Sequence, residues 1–207
     1  MTAIDHVRSI DRTVAAGERA GAPTKSVIVT QSYPVGVAEL WDAVTTGERI
    51  SRWLMPITGD LRIGGRYQLE GNAGGVVEEC VPSERIAVTW EYGGDVSWVV
   101  ATLSGGDDQS SLKVVHTAHV DDERWAEFGP GAVGIGWDMM LLGLSLYLES
   151  STSLDPAEAA AWTMSPEGKQ VMTESGTAWR DAQIASGDDE AAARAASERC
   201  IAAYTGG

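Results

Sequence analysis

Apolar and polar positions divide the chain into three regimes. Over residues 2–16, Ile4, Val7, Ile10 and Val14 recur at steps of three, three and four, with Asp5, Arg8, Asp11 and Arg12 between them. That spacing predicts a helix with one apolar stripe, ended by Ala20-Gly21-Ala22-Pro23. Its plain role is packing; binding a partner is the alternative. From residue 27 the pattern turns β-branched. The run VIVTQSY over 27–33 predicts a strand, stopped by Pro34. Short helices follow over 37–43 and 47–53, then strands over 60–63, 66–70, 76–81, 85–92, 96–103 and 110–119. Glycine pairs such as Gly64-Gly65, Gly93-Gly94 and Gly105-Gly106 punctuate them and supply the positive φ of tight hairpins. No connection is long enough for a helical crossover, so neighbouring strands are antiparallel.

The third regime is helical. Over 131–150, Trp137, Met140, Leu141, Leu144, Tyr147 and Leu148 cover a wide apolar arc, while Asp138, Ser145 and Glu149 form one line expected to face solvent. Burying six such side chains is worth on the order of 10 kcal/mol before entropy is counted, and the antiparallel sheet is the surface to receive them. Residues 155–205 are rich in Ala, Glu and Asp. They predict helices over 156–164, 166–186 and 188–204, two of them opened by Pro156 and Pro166. Trp162, Val171, Trp179 and Ile184 are placed to dock them on the body.

Strand alternation assigns faces. Ile86, Val88, Trp90 and Tyr92 share one face, taken as inward; Leu112, Val114 and His116 fall together. If Val76 and Cys80 point inward, Glu78 does too, unless a bulge in this glycine-rich stretch reverses the order. Glu78 and His116 would then be polar fixtures of the interior, each favouring the other's charged form. They would orient a ligand or act as base and acid. The plain alternative is a histidine hydrogen-bonded in the core and a glutamate on the outer face. Eight Trp against one Phe suit either an ordinary core or a site for flat, partly polar molecules. Trp125 to Pro130, followed by Gly131, Gly134 and Gly136, suggests a flexible flap.

Other signals are weak. Gly129-x-Gly131-x-x-Gly134 lacks the strand and βαβ unit of a dinucleotide site. His116 and His119 fall on opposite faces of a strand, and Asp121-Asp122-Glu123 reads as a solvated acidic turn, so no metal and no cofactor is expected. Cys80 and Cys200 form neither a framework nor a CxxC pair. The net charge of −15 argues against nucleic acid or an anionic membrane as partner. The longest apolar stretch, 139–148, is half a bilayer span, and the first residues show no secretory pattern, so a cytoplasmic location is expected.

An ordered set of residues carries a family resemblance: Tyr33-Pro34 with Leu40-Trp41, Arg49-Ile50-x-Arg52-Trp53, Gly59 to Tyr67 (GDLRIGGRY), Val88-Thr89-Trp90-Glu91-Tyr92, and Leu112-x-Val114-x-His116. Residues 27–151 thereby resemble the START-like, or SRPBCC, superfamily, and within it the heat-shock-protein-90 ATPase activator-like (polyketide cyclase-like) branch. The resemblance implies an α+β helix-grip fold: a curved antiparallel sheet wrapped around a long C-terminal helix, with an elongated cavity between them. The N-terminal helix (1–24) and a helical C-terminal extension (153–207) are added to a domain at 25–152. The expected function is binding of a small apolar or aromatic, lipid- or polyketide-like ligand. Its expected contacts are Trp53, Tyr67, Trp90, Trp98, His116, Phe128, Trp137, Met140, Leu141 and Leu144. The alternatives are a cyclase or hydrolase using His116 and Glu78, and a co-chaperone-like or stress-linked module acting through its acidic surface or terminal helices. A homodimer surface on the extension is a further alternative.

Overall fold

A computed structural model describes residues 1–153 and 155–207. Its element order is α1 (Ala3–Arg8), β1 (Asp11–Arg19), β2 (Ala22–Tyr33), α2 (Val37–Thr45), α3 (Gly47–Trp53), β3 (Ile57–Gly59), β4 (Arg66–Leu69), β5 (Gly74–Val81), β6 (Arg85–Tyr92), β7 (Asp95–Gly105), β8 (Ser110–His119), α4 (Asp122–Phe128), α5 (Gly131–Ser150), α6 (Pro156–Met164), α7 (Pro166–Ala185) and α8 (Glu190–Thr205). The eight strands form one curved antiparallel sheet in the order β1-β2-β8-β7-β6-β5-β4-β3. With the long α5 following the sheet in sequence, this is the α+β helix-grip architecture.

The chain forms two compact units. One takes residues 1–29, 119–142 and 155–207; the other takes 30–118 with the described part of 143–154. In the second unit, Ile50, Tyr67, Leu69 and Val77 form a core on which Leu54, Met55, Val88 and Trp90 pack. The second half of α5 is fastened here. Gln31 on β2 donates from Nε2 to Ser145 Oγ at 3.0 Å, and Tyr33 donates its hydroxyl to Gln31 Oε1 at 3.3 Å. Arg49 donates to the Tyr147 hydroxyl at 3.0 Å while its other nitrogens pair with Glu39 and Asp42.

The first unit centres on Asp138 of α5, which is 0% exposed. Its Oδ2 accepts from Arg12 Nε at 2.9 Å, Ser175 Oγ at 2.5 Å and Trp179 Nε1 at 3.1 Å. Arg12 spends its remaining donors on the carbonyls of Ile10 and Val7, at 2.8 and 2.6 Å. Val7, Leu142 and Val171 pack beside this group with Met139 and Trp162. The line Asp138, Ser145, Glu149 therefore does not face solvent: Asp138 and Ser145 are buried and only Glu149 is exposed. Helix α5 has little amphipathic contrast because polar partners meet it from β1, α7 and β2.

Gly134 lets α5 pack closely on Trp179 of α7. A Cβ there would lie 2.2 Å from Cε2 of the fully buried Trp179. Gly134→Ala is expected to cost about 1–3 kcal/mol by overpacking, read as a lower thermal midpoint. An unchanged midpoint would show that Trp179 has room to move.

Three local expectations are corrected. The stripe over 2–16 is not one helix. α1 ends at Arg8, where the Ser9 N–H closes on the carbonyls of Asp5 and His6, and β1 begins at Asp11. Ala20 and Gly21, with φ of 53° and 78°, turn β1 into β2 as a tight hairpin. Val14 is buried, but as a strand residue. The strand expected at 60–63 is a turn: Asp60 Oδ1 accepts from the Arg62 N–H at 3.1 Å, and the paired strand is β3, just before it. The expected acidic turn and flap form helix α4, with Asp121 Oδ1 capping the Arg124 N–H at 3.0 Å.

α5 is, among the described residues, the one helix long and apolar enough to cross a membrane by length and composition. Half of that window is buried within the structure, as befits a core helix.

Candidate functional site

The ladder registers place a row of side chains across the sheet. Val77 lies opposite Val88, Val88 opposite Val99, and Val99 opposite His116. Residues directly opposite share a face, so His116 stands on the face that carries the Val77 core. The next row along β6 and β7 pairs Trp90 with Ser97 on the same face. The result is a three-residue polar group on an apolar surface. Ser97 Oγ lies 2.7 Å from His116 Nε2 and donates to the Trp90 carbonyl at 3.1 Å. The Trp90 and His116 rings sit 5.9 Å apart, tilted by 56°. A serine hydroxyl has one hydrogen. Given to the Trp90 carbonyl, it leaves Oγ as the acceptor for the Nε2–H tautomer of His116; in the other tautomer the hydroxyl donates to Nε2 instead.

His116 is 8% exposed, and burial lowers its pKa to about 4. It is a neutral imidazole at pH 7 and can serve a ligand as a polar, uncharged group. So low a pKa makes it a poor general acid at neutral pH, because proton transfer works best with a pKa near the operating pH.

The pairing of His116 with Glu78 is corrected. The β5–β6 register shifts between Val77 and Glu79, and Glu78 sits at that bulge, exposed. Val77 takes the inward place expected of its neighbours. β6 and β7 lie between β5 and β8, and three strand spacings amount to roughly 14 Å. Trp98 is corrected too. It lies opposite Thr89 and Thr117, one residue out of phase with Val99, on the reverse face of the sheet.

The other expected contacts fall into two sets. Tyr67 is buried in the Val77 core with its hydroxyl donating to the Thr89 carbonyl at 2.8 Å; burial raises its pKa. Trp53 is buried and gives its indole N–H to the Ala43 carbonyl at 2.9 Å, tying α3 to α2. Leu144 is fully buried on the second half of α5. Trp137, Met140 and Leu141 lie on the first half and Phe128 ends α4, all in the other compact unit. There α4 is held in place: Trp125 donates to Asp188 Oδ2 at 3.0 Å, Lys25 lies 4.5 Å over the Trp125 ring, and Arg199 donates to the carbonyls of Glu127 and Ala126.

Sequence reasoning missed Ser97, Gln31 and Tyr33. The alternation Val27, Val29, Gln31, Tyr33 on β2 and Ser97, Val99, Ala101, Leu103 on β7 was available and puts each polar residue in phase with apolar ones. No group of three or more His, Cys, Asp or Glu side chains able to hold a metal ion occurs among the described residues.

Sheet, helix and buried polar group define a ligand-binding fold of the SRPBCC class. The chain belongs to the family described as activator of Hsp90 ATPase homolog 1-like proteins, whose model matches residues 34–149. It is similar to CalU16 from Micromonospora echinospora. The crystal structure of that protein matches at 30% identity with a TM-score of 0.67, over 84% of this chain and 97% of the other. The CalU16 solution structure gives 31% identity and a TM-score of 0.71, over 86% and 97%. The likeness to CalU16 thus reaches well beyond the segment matched by the family model. DynU16, a protein of the dynemicin biosynthetic locus, shares the fold at 24% identity and a TM-score of 0.52, over 62% of this chain and 48% of its own. So does the Aha1 dimer from Colwellia psychrerythraea, at 14% identity and 0.51, over 60% and 96%. No curated protein sequence matches the chain.

Proposed function

We propose that the protein binds a small apolar or aromatic molecule, lipid- or polyketide-like in character, on the face of the sheet that carries Trp90, Ser97 and His116. The observation behind this reading is a polar group, linked internally by hydrogen bonds, within a surface otherwise built from uncharged, mostly aliphatic and aromatic side chains. Ligand sites commonly combine apolar walls with a few fixed polar groups. In this reading residues 25–152 are the binding domain, and residues 1–24 and 153–207 are additions to it. Paired acid–base chemistry through Glu78 and His116 has no support, because β6 and β7 lie between the strands that carry them and Glu78 is exposed at a bulge.

Titration with the uncharged dye Nile red tests the reading. The full chain is expected to bind it with enhanced emission, and Trp90→Ala to bind roughly tenfold more weakly, the loss of one aromatic contact. Absence of binding, or equal binding by a folded Trp90→Ala protein, would count against it.

A further inference from the structure

The face that carries Trp90, Ser97 and His116 has a charge pattern that bears on what it accepts. From β4 to β8 its positions are Tyr67 and Leu69, then Val77 and Cys80, then Ile86, Val88 and Trp90, then Ser97 to Leu103 at every second residue, and Leu112, Val114 and His116. Not one is Asp, Glu, Lys or Arg, in a chain with 45 such residues (15 basic and 30 acidic). The first charged position in phase with Ser97 is Asp95, exposed at the end of β7 and acidic. The cations of this unit are engaged or exposed. Arg49, its least exposed, is 17% accessible and already paired with Glu39 and Asp42. Arg66 is exposed and Arg85 half-buried, and they are paired with Glu91 and Glu79.

We propose that this face accepts uncharged, ring-bearing molecules and rejects organic acids and phosphorylated lipids. The inference rests on the binding reading above and narrows it. An ionised carboxylate brought onto this surface loses water and meets no compensating cation, and burying an uncompensated charge is among the costliest events in a protein interior. His116 cannot supply the charge at neutral pH, since it is 8% exposed, burial keeps it uncharged, and its Nε2 is engaged with Ser97 Oγ at 2.7 Å. A hydroxyl or carbonyl on a flat ring has no such penalty. Trp90 offers it a stacking surface, and the triad offers neutral hydrogen-bonding groups.

The test uses the full chain with Nile red bound, displaced by 2-naphthol or by 2-naphthoate at about pH 7, where the first is neutral and the second ionised. The pair shares one ring system and differs in charge. 2-Naphthol is expected to displace the dye at concentrations at least about tenfold lower. In Ser97→Ala, 2-naphthol is expected to weaken by roughly threefold to tenfold while 2-naphthoate stays where it was. 2-Naphthoate displacing as well as 2-naphthol, or better, overturns the charge rule and leaves the binding reading standing. Displacement by neither, with the dye bound, also overturns it, because the neutral ring was expected to compete. Failure of the dye itself to bind removes the binding reading, and this inference with it.

Discussion

Asp138→Ala is expected to lower the unfolding free energy by about 3–5 kcal/mol, the usual cost of removing one partner from a buried ion pair. The reason is what the substitution leaves behind. Arg12 is only 6% exposed, and its Nε–H is given to the Asp138 carboxylate at 2.9 Å. Two backbone carbonyls remain as acceptors, which satisfy hydrogen bonds but not the charge. Ser175 and the indole of Trp179 lose their acceptor in the same stroke. Replacing Arg12 alone by Ala is expected to cost a similar amount, for it strands the carboxylate. Replacing both by apolar residues of like size, Arg12→Met with Asp138→Leu, is expected to recover much of the loss, since desolvating the pair is itself unfavourable. Urea midpoints with an unchanged slope measure all of these. A single Asp138→Ala variant within about 1 kcal/mol of the parent would show that solvent reaches the group.

Acid titration should show two buried groups working against each other. Burial lowers His116 to about 4. Between that value and the ordinary imidazole range near 6.5, the unfolded chain binds a proton that the folded chain refuses, so stability rises with pH across the window, by about 3 kcal/mol. Asp138 has the opposite sign. Burial pushes it up to about 6, although Arg12, Ser175 and Trp179 pull it down. Between its ordinary value of 3.8 and about 6, the folded chain holds a proton that the unfolded chain releases. That contribution is therefore full at low pH and falls as pH rises, again by about 3 kcal/mol. From these two groups the parent protein should show little net slope between about pH 4 and 6. His116→Phe should uncover the falling slope of Asp138, and Asp138→Asn the rising slope of His116. Urea midpoints taken across that range read the slopes directly, and parallel slopes in all three proteins would sink the account.

Where local chemistry decides the structure, the sequence was legible. The strands over 85–92 and 110–119 and the helix over 131–150 have the limits expected of them, because their alternation and their flanking glycines act over a few residues. The face of His116 was also correct in phase with Leu112 and Val114. Misreadings arose where a distant partner or one extra residue decides. The register shift at Glu78 moves a glutamate from the inside to the outside, and alternation has no memory of a bulge. Asp138 looks like a solvent-facing residue until Arg12, more than a hundred positions away, is placed beside it. Trp98 is as large and apolar as Trp90, and only register tells their faces apart. Over 2–16, Ile10 and Val14 matched a helical period while belonging to the chain beyond α1.

The carboxylate at position 138 has one further consequence. The segment by which the family is recognised, 34–149, contains Asp138 but none of its three donors, which come from residues 12, 175 and 179. Trimmed to that segment, the polypeptide would inherit an acid with no companion at the middle of its longest helix. The portion that names the family is therefore not a portable piece of this protein, and its two ends are as much a part of the architecture as the strands between them.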